Sequence, residues 1–217
     1  MNRIDPSIEE YIAGAILPAY REFDEAHQTE HAKAVIGNSL QIAADYAVDL
    51  NMVYVTAAYH DVGLAGGREG HEKRSGDQLR RDRELRRWFT EEQIRVMAEA
   101  AEDHRASSKR APRSIYGKIV AEADRDIEYG KILRRCIQYS LRQFPEYDER
   151  RHLERTCTHM REKYGENGYL TLWLDTRRNR ENLSELRQKL HQEDEFRQDF
   201  HTVFRELTAK PEDGEKE

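Results

Sequence analysis

Apolar residues recur along this chain at three- and four-residue steps almost throughout, which predicts helices. Ile8, Ile12 and Ile16, with Tyr11, open the pattern; Pro18 disturbs its far end before Tyr20 and Phe23. A second helix is predicted over Thr29–Val48, with Val35, Ile36, Leu40, Ala43, Ala44 and Ala47 as its apolar stripe. The third run, Met52–Tyr59, is short and nearly all apolar; its lack of alternation fits a buried helix better than a strand. Gly63, Gly66, Gly67 and Gly70 then break the helical pattern.

Helical spacing returns over His71–Arg87. Thr90 and Gln93 form a capping-box signature for a helix that runs through Ile94 and Met97 to His104. After Pro112, Ser114 is placed to cap a helix carrying Ile115, Ile119, Val120, Ala123 and Ile127. Further helices are expected over about 130–143, 148–164 and 179–208, and only 165–178 has the make-up of a short extended segment. Within 179–208, Leu183, Leu186 and Leu190 lie out of phase with Phe196, Phe200, Val203, Phe204 and Leu207. Packing of both faces onto the body is the simpler use; a homodimer through these helices is the other. The expected architecture is all-α, with a main domain over 1–145, a helical extension over 146–210 packed on it, and a disordered tail at 211–217.

Composition sharpens this picture. Leu, Ile, Val and Phe total only 42 of 217 residues, and Asp, Glu, Lys and Arg make up 36%. That is close to a disordered composition, but the charges nearly cancel at a net of −6, so a folded chain with a small core is expected. No run reaches the roughly 18 apolar residues of a membrane span, and the start MNRIDPSIEE lacks the pattern of a secretory leader. Cys136 and Cys157, the only cysteines, stand in no metal-type spacing, which fits a reducing, cytoplasmic setting. The mildly acidic balance argues against nonspecific nucleic-acid binding.

Five of the nine histidines fall at positions 27, 31, 60, 71 and 104, around the glycine-rich break. His60 and Asp61 end the most apolar helix, where an unpaired carboxylate is costly to bury. A divalent cation bound by both would remove that cost, with imidazole and carboxylate donors suiting Mn, Fe, Ni or Zn. Neighbouring helical residues point about 100° apart, so both can face one ion only near a helix end, and Gly63 supplies the bend. His31 shares a side with Val35, and Asp124 lies on a face with Val120 and Ile127; each carboxylate or imidazole facing inward needs a partner. His152, His159, His191 and His201, like His27, read as ordinary packing or surface residues.

His31, His60–Asp61 and Asp124 together resemble the H…HD…D pattern of the HD superfamily of metal-dependent phosphohydrolases, in its HDIG-like variant. The context over about 20–130 is similar too: Glu30–His31–Ala32–Lys33, Ala57–Ala58–Tyr59–His60–Asp61–Val62–Gly63, His71–Glu72–Lys73–Arg74–Ser75–Gly76 and Glu122–Ala123–Asp124–Arg125 follow in the family's order. The resemblance implies a helical bundle around one or two divalent cations, drawn from Mn, Fe, Ni, Co, Zn or Mg, with His31, His60, Asp61 and Asp124 as ligands. It implies hydrolysis of a phosphate ester of a nucleotide or related small molecule. Asp61 would orient the attacking water, and His71 and His104 would complete the site as ligands, proton carriers or phosphate contacts. Substrate contacts are expected from Lys73, Arg74 and Arg125 and from the cationic loop of Arg105, Lys109, Arg110 and Arg113. The arginines at 80, 81, 83, 86 and 87 read as a solvated face. One departure stands out: Leu64 occupies the place where many nucleotidases of the superfamily carry a water-activating Glu and many cyclic-dinucleotide phosphodiesterases, just after the glycine, a Lys. A metal-stabilised module that binds a nucleotide signal or a protein partner without turnover is therefore the alternative.

Overall fold

Asp5 starts the first helix by accepting the Ser7 N–H, and Pro6 occupies the first helical position, where its missing N–H costs nothing. This is a computed structural model, and it describes residues 3–23, 28–105 and 110–209. α1 (Pro6–Tyr11) runs into a π-helical turn (Ile12–Ile16) and a 3₁₀ segment (Leu17–Glu22) with Pro18 near its start. There follow α2 (Thr29–Ala43), α3 (Leu50–Tyr59), a 3₁₀ turn (Val62–Gly66), α4 (His71–Arg81), a short 3₁₀ turn (Glu84–Arg87), α5 (Glu91–Asp103) and α6 (Ile115–Asp124). The remaining helices are α7 (Tyr129–Gln143), α8 (Glu149–Tyr164), α9 (Arg177–His191) and α10 (Glu193–Thr208). Among the described residues there is no strand, so the fold class is all-α as the periodicity predicts.

The chain divides into two compact units, Met1–Arg125 and Asp126–Glu217. In the first, α3 is central, with Val53, Val55, Ala57 and Ala58 fully buried, which explains its lack of a polar face. It packs against α2, α5 and α6, and α4 packs on α5. The capping box at Thr90 and Gln93 and the Ser114 cap form as expected. Tyr11 and Tyr59 both donate hydroxyl hydrogen bonds to Asp82 Oδ2, which ties α1 and α3 to the end of α4.

In the second unit, Ile132, Leu133 and Ile137 of α7, Met160 of α8, Leu183, Leu186 and Leu190 of α9 and Phe196 and Phe200 of α10 share one core. α7 thus belongs to this unit, and the division falls at Arg125/Asp126, where the sequence reading placed it at 145. Pro145 is the more conspicuous mark, but the apolar face of α7 decides which core it joins. The predicted helix over 179–208 is two, because the chain turns at Gln192 (φ −88°, ψ 75°); this is why its apolar faces lie out of phase. Residues 165–176 form a loop rather than an extended strand: Tyr169 and Leu170 donate their N–H groups back to Glu162 and Lys163 at the end of α8. The helix predicted over His71–Arg87 stops at Arg81, and α2 stops at Ala43. The tail at 211–217 lies outside the described residues.

Candidate metal centre

Six possible ligand residues come from the ends of five helices. His31 lies in the first turn of α2, His60 and Asp61 follow α3, His71 opens α4, His104 follows α5, and Asp124 ends α6. Helix ends leave backbone groups without helical partners, and the histidines use them. His60 Nδ1 donates to the Ala57 carbonyl at 2.7 Å, His104 Nδ1 to Ala101 at 2.6 Å, and His71 Nδ1 to Arg68 at 2.8 Å. A carbonyl can only accept, so each Nδ1 carries the hydrogen. In a neutral ring Nε2 then carries a lone pair.

Those Nε2 atoms converge on carboxylates. His71 and His104 stand 3.1 and 3.3 Å from Asp61 Oδ1, and His60 stands 3.3 Å from Asp61 Oδ2. His31 Nε2 lies 3.2 Å from Asp124 Oδ1 and 3.3 Å from His60 Nε2. Two groups result, one of His31, His60 and Asp124 and one of Asp61, His71 and His104. Asp61 has one oxygen toward each.

The residues fit divalent cations. Asp61 Oδ1 is buried and receives no hydrogen bond, although two imidazole nitrogens crowd it. Lone pairs facing carboxylate oxygens repel unless positive charge lies between them. Donors bound to one ion at about 2.0–2.2 Å sit roughly 3–3.5 Å apart, which is the spacing of the closest pairs in each group. Imidazole Nδ1 held by a backbone carbonyl is also the usual support of a metal-ligating histidine.

The electrostatics run the same way. Burial opposes ionisation of Asp61, but His60, His104 and His71 outweigh it and hold the carboxylate far below its usual range. Burial likewise opposes a charge on His104, yet Asp61 and then Asp124 push it up to about 9. Asp124 is held low despite burial by His31, His60 and His104. The centre is thus a buried anionic pair that draws positive charge. The side chains of His31 and Asp124 remain 26% and 20% exposed, so this is the side open to solvent.

Gly63 lets the second group assemble. A Cβ there would meet the His71 carbonyl at 2.1 Å and the Ser75 nitrogen at 2.7 Å, so only glycine allows the 3₁₀ turn to lie against α4. The Gly63 N–H donates to Ser75 Oγ at 3.0 Å. Gly67 and Gly70 take the positive φ values, 93° and 66°, that turn the chain into α4.

The expected substrate cations fare differently. Arg74 is engaged by the backbone: its guanidinium donates to the carbonyls of Gly63 at 2.9 Å, Glu69 at 2.6 Å and Gly67, which makes it the clamp of the glycine loop. Arg125 is 4% exposed and lies 3.7 Å from the fully buried Glu122, so it is an interior cation rather than a surface contact. Arg113 is held by Asp103 and Glu102. Lys73 and Arg110 are exposed, and Arg105, 43% exposed, lies 3.7 Å from Glu72 beside His71. Lys109 lies outside the described residues. Sequence reasoning missed Tyr20, whose hydroxyl reaches the His60–Asp61 corner; an aromatic at helical spacing gives no sign of such a role.

Residues 29–127 match the family model of the HD domain, a stretch that includes all six residues. That stretch of the chain is thus similar to the HD domain, in line with the resemblance that its motifs carry. A crystal structure of a predicted HD superfamily hydrolase from an uncultured Thermotogales bacterium is similar, with 24% identity and a TM-score of 0.49 over 64% of this chain and 78% of that one. No curated protein matches the chain.

Proposed function

We propose that the chain hydrolyses a phosphate ester of a small molecule, with nucleotides the first class to try, using two divalent cations. His31, His60 and Asp124 would hold one, and Asp61, His71 and His104 the other. The observation that carries this reading is the set of Nε2 atoms, with Nδ1 of each ring held by a backbone carbonyl, crowded against carboxylate oxygens. Mixed nitrogen and oxygen donors favour Mn, Fe, Co, Ni or Zn over Mg.

When bound, such cations lower the pKa of water and polarise a phosphoryl oxygen. The chain's own residues do the rest. Asp61, 3% exposed, orients charge at the centre. His71 and His104, 7% and 2% exposed, face the interior, and holding a cation suits them better than carrying protons to a substrate. The ester approaches over His31 and Asp124, and Arg105, with Lys73 and Arg110 on the same unit, offers positive charge to its phosphate. Cytoplasmic residence suits the free thiols of Cys136 and Cys157. Among the described residues no helix is long and apolar enough to cross a membrane.

The test is metal content of the purified chain, followed by phosphate release from a panel of nucleotides and simple esters with Mn²⁺, Co²⁺ and Ni²⁺. Metal-dependent release that Asp61→Ala abolishes is the expected result. Bound metal with no release from any ester would instead favour a binding module, the reading that Leu64 in the place of a glutamate motivates.

A further inference from the structure

The family match begins at residue 29, yet the segment before it reaches the metal centre. Tyr20, in the 3₁₀ segment Leu17–Glu22, is completely buried. Its hydroxyl donates to the Ala58 carbonyl at 2.9 Å and accepts the Asp61 N–H at 3.2 Å. These two groups flank His60.

Their need for a partner follows from the corner itself. In a continued helix the Asp61 N–H would donate to the Ala57 carbonyl, and the Ala58 carbonyl would accept the Val62 N–H. The Ala57 carbonyl is instead taken by His60 Nδ1. Asp61 leaves the helix at φ −116°, ψ 5°, and Val62 enters a 3₁₀ turn. One buried hydroxyl thus stands in for the two helical partners lost where α3 opens to turn both His60 and Asp61 inward. Phe23 packs edge-on against the Tyr20 ring at 5.2 Å.

We infer that Tyr20 is a positioning residue of the metal centre, so that the segment preceding the HD domain is a working part of it. This rests on the two-cation reading above. The test is titration of the metal-free full chain with Mn²⁺ by calorimetry and with Co²⁺ by its visible absorption. Tyr20→Phe keeps the ring and removes both hydrogen bonds. It should weaken Mn²⁺ binding about tenfold or more, the usual effect of losing a group that orients ligands, and change the cobalt spectrum. Tyr11→Phe is the control: its hydroxyl binds Asp82, in the same unit, and its loss should lower the melting temperature with Mn²⁺ affinity and cobalt spectrum unchanged.

Wild-type affinity and spectrum in Tyr20→Phe would overturn the inference, whatever its melting temperature. If that variant does not fold, Phe23→Ala, which loosens the ring but keeps the hydroxyl, should weaken Mn²⁺ binding severalfold, and unchanged binding overturns the inference. A wild-type chain that binds neither ion overturns the two-cation reading and this inference together, whereas normal binding by wild type and variant alike overturns this inference alone.

Discussion

Replacing Gly63 by alanine should damage the second ligand group while sparing the first. The added Cβ would stand 2.1 Å from the His71 carbonyl oxygen, 2.7 Å from the Ser75 nitrogen and 2.9 Å from Arg74 Cβ. Ordinary contact begins near 3.4 Å, so the first turn of α4 must retreat by roughly 1.3 Å. No flexible side-chain tip is there to yield, because the opposing atoms are mostly backbone. Overpacking of this kind costs roughly 2–3 kcal/mol, which corresponds to a fall in melting temperature of roughly 4–12 °C for a chain of this size.

The functional effect follows from the same displacement. His71 Nε2 lies 3.1 Å from Asp61 Oδ1, and metal–ligand distances tolerate only about ±0.2 Å. Gly63→Ala should therefore lower the Mn²⁺ content from two ions per chain toward one, read by plasma mass spectrometry after dialysis. Gly37→Ala is the control: nothing lies within 4 Å of its added Cβ, and alanine in the exposed middle of α2 should stabilise by roughly 0.5–1 kcal/mol. A Gly63→Ala chain that melts with the wild type and keeps both ions would refute this account of the glycine.

Three further outcomes are expected. Asp124→Ala should remove the cation held with His31 and His60, so that added Mn²⁺ no longer gives its full rise in melting temperature; an undiminished rise would remove Asp124 from the ligand set. Arg74→Met deprives three carbonyls of the glycine loop of their donor, so trypsin should cut after Arg68 several times faster than in the wild type, and equal rates would count against the clamp. His152 is buried, its pKa is lowered first by burial and then by Arg155, and its Nδ1 lies 2.7 Å from Ser140 Oγ. The unfolded chain takes up a proton near the ordinary value of 6.5 before the folded one does. The stability that His152 contributes is therefore complete above about 6.5 and is lost as pH falls through its lower folded value. Melting of the second unit between pH 7.5 and 5.5 should show that loss, and His152→Asn should flatten it.

The parts of this molecule that were legible in its sequence are those with a local physical cause. Thr90 and Gln93 cap α5 because the four residues between and including them are all that a capping box needs. His60 and Asp61 stood out because two polar groups closed an otherwise apolar helix, and Gly63 because a bend was required there. What stayed hidden depends on contacts far along the chain. Arg74 looked like a phosphate ligand until its guanidinium was seen to close the loop seven to eleven residues before it. Arg125 adjoins the Asp124 motif and so reads as a substrate contact, yet it lies inside beside Glu122. The turn at Gln192 carries neither glycine nor proline, so only the phase change from Leu190 to Phe196 marked it.

The composition that suggested a small core also finds its explanation here. Among the buried polar and charged residues of the first unit are His60, Asp61, His71 and His104, all belonging to one centre at the meeting point of its helices. Cations held there would cross-link the ends of these five helices. The measurement that tests this most directly is anomalous diffraction at the manganese edge from crystals of the chain grown with Mn²⁺. The account predicts two peaks, one bonded to His31, His60 and Asp124 and one to Asp61, His71 and His104. Manganese absent from these six residues would contradict it.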